Sequence, residues 1–220
     1  MADLFITTLP LSLAAAVSVS SILVFFAILV AKEKQLEHGC AFVLGGISSY
    51  AAIAAVVIFS CSAAVPPGSP HHPALHAGGD FILSALCILL VIKELLKKAD
   101  PCKEKKRDLP GGAVAYFGIG ALMRAASANT LPPFIAAVKD VSGAQIAWAP
   151  ALTMYLLIIL VSMAPMIIPL LIFMFNREKA VALILPVNNF LEKNKKRISI
   201  VVLVVIALYL ALHGFHHLRG

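Results

Sequence analysis

One arginine stands in the middle of an otherwise uncharged run: Arg124, inside the stretch 113–138 (AVAYFGIGALMRAASANTLPPFIAAV). Insertion scales put about 2.5–3.5 kcal/mol on an arginine at the centre of a membrane helix. The other apolar runs hold an Asp or Glu only near the ends of 79–96, at Asp80 and Glu94, so none stands at mid-run to pair with it. A guanidinium in that position suits an anion such as a phosphate or carboxylate, which it holds by two parallel hydrogen bonds. The alternative role is structural, with the fork capping backbone carbonyls freed by Pro132 and Pro133 or by Pro10. Neutral hydrogen-bonding side chains cluster in two places: Ser127, Asn129 and Thr130 just after the arginine, and Ser18, Ser20 and Ser21 in the first apolar run. Arg124, Asn129, Thr130, Ser127, Ser18 and Ser20 are therefore the candidate substrate-binding residues. Ser and Thr also serve as glue between membrane helices without any substrate.

Two histidine clusters offer a second chemistry. His71, His72 and His76 lie in PPGSPHHPALH, and His213, His216 and His217 would share one face of a terminal helix. Imidazole sets suit zinc, nickel, cobalt or copper, which makes a divalent-metal exporter one alternative; solvated interface histidines are the plainer reading. The four cysteines show no CxxC pairing and lie at different depths, so no structural disulfide is expected. No phosphate loop, nucleophile motif or paired carboxylates occur, so neither an enzyme nor a cofactor is expected.

These residues need elements to hold them in a membrane. The 220 residues are 60% apolar and 13% charged, with mean hydropathy +0.94, which excludes an ordinary soluble domain. Six apolar runs, 4–31, 40–64, 79–96, 113–138, 146–175 and 198–217, read as six transmembrane helices, since a helix satisfies its backbone within the segment. The runs 4–31 and 146–175 exceed a straight crossing, with Pro10, Pro165 and Pro169 as their natural kinks. Pro132 and Pro133 mark a break in the fourth.

Fifteen of the eighteen Lys and Arg residues fall in the connections after the first, third and fifth helices. The positive-inside rule makes those connections cytoplasmic and both termini extracytoplasmic, in a multi-pass cell (plasma) membrane protein. The net charge of +7 is thus a topology signal directed at anionic lipid headgroups, and no nucleic-acid role is expected. Three helices per half require the halves to be inverted: a first repeat 1–99, a basic cytoplasmic linker 100–112 and a second repeat 113–220. Residues 14–21 (AAAVSVSS) and 124–131 (RAASANTL) are a weak internal match, small residues followed by a polar cluster. In inverted-repeat transporters the substrate site lies near the midplane, where equivalent helices are broken. Gly45 with Gly46, and Gly118 with Gly120, form small faces for close helix contact, within one chain or in a homo-oligomer.

The order of LPLSLAAAVSVSSI, AFVLGG, the small-residue fourth helix with its Asn-led polar cluster, and the stretch from APMIIPLLIFMFNREKAVALILPVNNF to the end resembles the lysine exporter (LysE) superfamily, most closely its GAP (peptidoglycolipid-addressing protein) branch. That family's usual Ser-Pro and Asn-Pro-Lys appear here as Ser18-Val19 and Asn129-Thr130, so the lysine is missing and Arg124 stands five residues earlier. The resemblance implies six helices in two three-helix halves. It also implies an exporter that moves a small anionic or zwitterionic solute or an envelope lipid by alternating access. A non-transporting membrane partner in envelope lipid or protein placement fits the same resemblance.

Overall fold

The structure, a computed structural model, describes residues 2–31, 34–64, 84–92, 112–127, 129–144 and 146–219, with the side chains of 2, 3, 62–64 and 213–219 excepted. Among them every regular element is helical: α1 (Ala2–Ala16), α2 (Val19–Val30), α3 (Gln35–Ala64), α4 (84–92), α5 (Ala113–Ala125), α6 (Leu131–Gly143), α7 (Trp148–Phe175) and α8 (Arg177–Arg219). Among the described residues two helices are long and apolar enough to cross a membrane, α3 over Gln35–Cys61 and α7, with the bent pair α1–α2 a third if it counts as one span. Phe59, Val114, Trp148 and Phe175 are largely exposed, a surface that suits lipid and not water. The linker 100–112 lies outside the described residues except for Gly112.

The first apolar run bends, but not at its proline. The helix continues through Pro10 and turns by 57° at Val17 and Ser18. Ser18 leaves helical geometry (φ −108°, ψ 88°), its N–H donating to the Ala16 carbonyl at 3.0 Å and its hydroxyl sharing a hydrogen bond with Ser21 at 2.9 Å. Such local side-chain and backbone alternatives compete with the helix, and flanking β-branched Val17 and Val19 weaken it further. A single proline removes one donor and leaves the rest of the ladder intact.

The fourth run is divided, α5 ending at Ala125 and α6 beginning at Leu131. Pro132 and Pro133 follow that interruption and begin α6, in the first turn where a missing N–H costs nothing. The Ser127 carbonyl accepts from the N–H groups of Thr130 and Leu131, both at 3.1 Å, and so supports the non-helical turn. Pro165 and Pro169 lie inside α7, which is unbroken.

The fifth-to-sixth connection is itself helical. Only Asn176 separates α7 from α8, its Oδ1 accepting the Lys179 N–H at 3.0 Å, and α8 then runs through Pro186 and the basic stretch into the last apolar run. Buried Ala180 and Ile184, with half-buried Asn188 and Leu191, give that segment one packed face at helical spacing. Charge content marked it as a loop; its strong helix formers and this face keep it helical.

The chain folds around α3 and α7, which touch each other. α5 lies along α3, and α1 along α7 and α6; α2 packs on α3, α7 and α8, and α6 on α3 and α7. Gly45 and Gly120 make the α3–α5 crossing: a Cβ on Gly45 would meet the Phe117 carbonyl, and one on Gly120 the Phe42 carbonyl. These two glycines therefore serve a contact within the chain, whereas Gly118 has nothing within 4 Å of its Cβ position. Ser162 donates to the Ser12 carbonyl (3.2 Å), Ser84 to that of Ala207 (3.0 Å), and Tyr209 to that of Thr7 (3.0 Å), which fixes the remaining helices in depth.

Candidate functional site

The interruptions of the first and fourth runs meet. Ser18 Oγ, between α1 and α2, lies 3.4 Å from Ser127 Oγ, between α5 and α6. One turn before Ser127, in the last turn of α5, Arg124 is fully buried (0% exposed). The C-terminal end of a helix favours a cation there. Its Nη1 donates to the Tyr50 hydroxyl at 3.3 Å and its Nη2 to the Met166 sulfur at 3.1 Å; Cζ sits 5.5 Å from the centroid of the Tyr50 ring. Nε is buried with no hydrogen-bond partner. No carboxylate among the described residues pairs with the guanidinium.

A neutral hydroxyl, a weakly accepting thioether and an aromatic face leave this cation short of acceptors. Among the described residues the fork reaches no backbone carbonyl, so the capping role weighed from the sequence is not what this geometry holds. Tyr50 is itself fixed: its hydroxyl donates to the Ala15 carbonyl at 3.4 Å and its ring stacks on Phe134 with centroids 4.2 Å apart. Tyr50 thus joins α3, the end of α1, α5 and α6. Phenylalanine at position 50 is expected to keep the stack yet strip Arg124 of its hydroxyl acceptor, lowering stability by about 1–3 kcal/mol. The check is the melting temperature of the purified variant in detergent, where no change would count against Tyr50 as the partner of the cation.

The two helix starts at the junction differ. The first-turn amides of α2, on Val19, Ser20 and Ser21, have no intrahelical partner and no side-chain cap, since Ser18 Oγ turns to Ser21. At α6 the corresponding donors are removed: Leu131 N–H is bonded to Ser127, Pro132 and Pro133 have none, and Phe134 N–H reaches the Thr130 carbonyl. Both starts carry the positive end of a helix dipole.

Of the residues singled out by sequence, Ser18 and Ser127 come together, and Arg124 precedes Ser127 by one turn with its side chain on Tyr50 and Met166. Thr130 is fully buried with its hydroxyl 3.4 Å from the Ser127 carbonyl, and Asn129 donates to Ser199 Oγ of α8 at 2.6 Å. Ser20 is exposed on the outer side of α2 and is not part of the cluster. Pro132 and Pro133 flank the junction, Pro10 is exposed on α1, and Pro165 and Pro169 lie on α7 on either side of Met166. His71, His72 and His76, and the side chains of His213, His216 and His217, lie outside the described residues, as does the metal reading built on them. Tyr50, Met166 and Phe134 were not picked out from sequence; the Ser48-Ser49-Tyr50 triplet in mid-run was the available signal for the first.

An apolar all-helical bundle around a buried, carboxylate-free arginine, at the meeting of two interrupted helices, defines an integral membrane protein with an internal cationic centre. The family described as Sap, sulfolipid-1-addressing protein (SfLAP), matches residues 9–216, nearly the whole chain, and the protein belongs to that family. The family carries a role in addressing lipid within the cell envelope. No curated protein and no solved structure matches the chain.

Proposed function

We propose that this protein is a six-span transporter that moves an anionic envelope lipid outward across the cell membrane, with two inverted three-helix halves alternating access to Arg124. The observation that carries the reading is Arg124 itself, buried, without a carboxylate and with an unpartnered Nε, at the contact of the two interruptions. A sulfate or phosphate ester supplies the acceptors that Tyr50 and Met166 do not. The α2 amides and both helix dipoles add to its attraction.

Support for inverted halves comes from the packing. Exchanging α1, α2 and α3 with α5, α6 and α7 turns the α1–α7 contact into α5–α3, α2–α3 into α6–α7, and α3–α6 into α7–α2, all of which occur. Interrupted first helices that meet at mid-depth are the arrangement in which inverted-repeat transporters bind substrate. The SfLAP family name points to a sulfated lipid as cargo, and the GAP branch of the LysE superfamily remains the nearest wider kinship that the sequence suggests. No enzymatic step is invoked. The partners are membrane lipids and the lipid cargo.

The test is reconstitution of the purified protein in liposomes carrying a fluorescent sulfated glycolipid in one leaflet, read by quenching from outside. Movement of the sulfated lipid, with a choline lipid of the same chains left in place, is expected under an imposed ion gradient or potential. No movement under any of these conditions would assign the protein instead to lipid placement as a non-transporting partner.

A further inference from the structure

The hydrogen bond from Asn129 to Ser199 fixes the depth of α8, and this has a chemical consequence for the charges beside Ser199. Asn129 belongs to the α5–α6 interruption. That level is mid-membrane, because Tyr50 and Arg124 beside it lie near the middle of the span Gln35–Cys61 and at the end of the α5 half-helix. The Tyr209–Thr7 bond independently confirms the register, since both residues stand ten or so positions outward from Ser199 and Val17 on their helices. Lys193, Lys195, Lys196 and Arg197 precede Ser199 on the same unbroken helix. At about 1.5 Å of rise per residue, Arg197 lies no more than about 3 Å, and Lys193 no more than about 9 Å, below the junction. Any tilt of α8 brings them closer to it.

Lys193, Lys195 and Arg197 are exposed, and Lys196 half-buried. No carboxylate among the described residues pairs with Lys193, Lys195 or Arg197. Exposed cations at this depth cannot face hydrocarbon; they draw headgroups and water inward from the leaflet on their own side. By the charge rule that side is the cytoplasmic one.

We infer that the basic turn of α8 over Lys193–Arg197, with Lys193, Lys196 and Arg197 on one side of the helix, is a binding site for anionic lipid headgroups of the cytoplasmic leaflet, leading them from the membrane surface to the level of Arg124. The inference rests on the transport reading for its destination, but binding at α8 stands or falls by itself. Lys193, Lys196 and Arg197, on one side of the helix within about 6 Å of rise, hold a sulfate or phosphate ester at successive depths. Long, flexible lysines release it as readily as they take it.

The experiment uses the full-length protein in nanodiscs of phosphatidylcholine doped with phosphatidylglycerol that carries a photoreactive group in its headgroup. Crosslinking is mapped by mass spectrometry. Labelling is expected on peptides covering 189–200, and to fall at least tenfold in the K193Q/K195Q/K196Q/R197Q variant and with rising salt. The charge-keeping K193R/K195R/K196R variant should retain it, and K34Q/K179Q, which removes two exposed lysines elsewhere on the same side, should label as the wild type does. Equal labelling by a choline headgroup, or undiminished labelling of the glutamine variant, overturns the site. Competition by millimolar glycerol phosphate would assign it to a soluble anion instead of a lipid and likewise overturn it. Labelling that survives in a protein that moves no lipid in liposomes leaves the α8 site standing and removes the transport reading; the opposite pattern does the reverse.

Discussion

Replacing Arg124 by leucine is expected to cut movement of a sulfated lipid by about two to three orders of magnitude while leaving the protein as stable as before, or more so. Truncating one partner of a buried charged pair typically costs about 2–5 kcal/mol, and each 1.4 kcal/mol is a factor of ten. The same substitution lifts the cost of holding a guanidinium without a carboxylate at mid-depth, about 2.5–3.5 kcal/mol on insertion scales. Leucine also keeps a Cγ where Arg124 has one, beside Gly46, where an added Cβ would lie 3.4 Å from Arg124 Cγ. Lysine at 124 should be intermediate, since it keeps the charge and loses the two-pronged geometry. The measurement is a pair: lipid movement in liposomes and melting temperature in detergent. Loss of both together would make Arg124 a structural residue, and unchanged movement would remove it from the site.

The largest loss of stability is expected at the α3–α5 crossing. Alanine at Gly45 or Gly120 drives a methyl group into a backbone carbonyl of the facing helix, of Phe117 or Phe42. A side chain could swing aside, but here a whole helix has to move. Overpacking costs about 1–3 kcal/mol in soluble cores, and valine in place of alanine should exceed that range and deplete folded protein from the membrane. Gly118→Ala is the control on the same helix: its Cβ position is open, and removing a helical glycine is worth about 0.5–1 kcal/mol in the stabilising direction. Thermal unfolding of the three variants decides the matter, and equal melting temperatures would mean that the crossing is looser than described.

Sequence alone placed most of the described helices within apolar runs and singled out Arg124 as the lone charge among them. Apolar length and the lone arginine are local signals, and so is a polar cluster beside small residues. It misjudged the bend in the first run, because one missing donor at Pro10 is a smaller perturbation than Val17-Ser18-Val19 with its competing hydrogen bonds. It also read the charged segment 177–197 as a loop, where packing of Ala180 and Ile184 makes a helix. The partners of Arg124 were illegible for a different reason. A tyrosine or a methionine in an apolar run is unremarkable until folding sets Tyr50 of α3 and Met166 of α7 on either side of one guanidinium.

The glycine crossing also has a mechanical meaning. Gly45 and Gly120 clamp α3 to α5, about one to two turns on the α3-start side of Tyr50 and Arg124. Among the described residues the α1–α7 contact has no such clamp and is bridged by the Ser162–Ser12 bond. A structure hinged this way has its fulcrum on one side and its free lever arms on the other. In the transport cycle proposed above, the bundle would open between α1 and α7, and cargo arriving from the clamped side would come around it along α8.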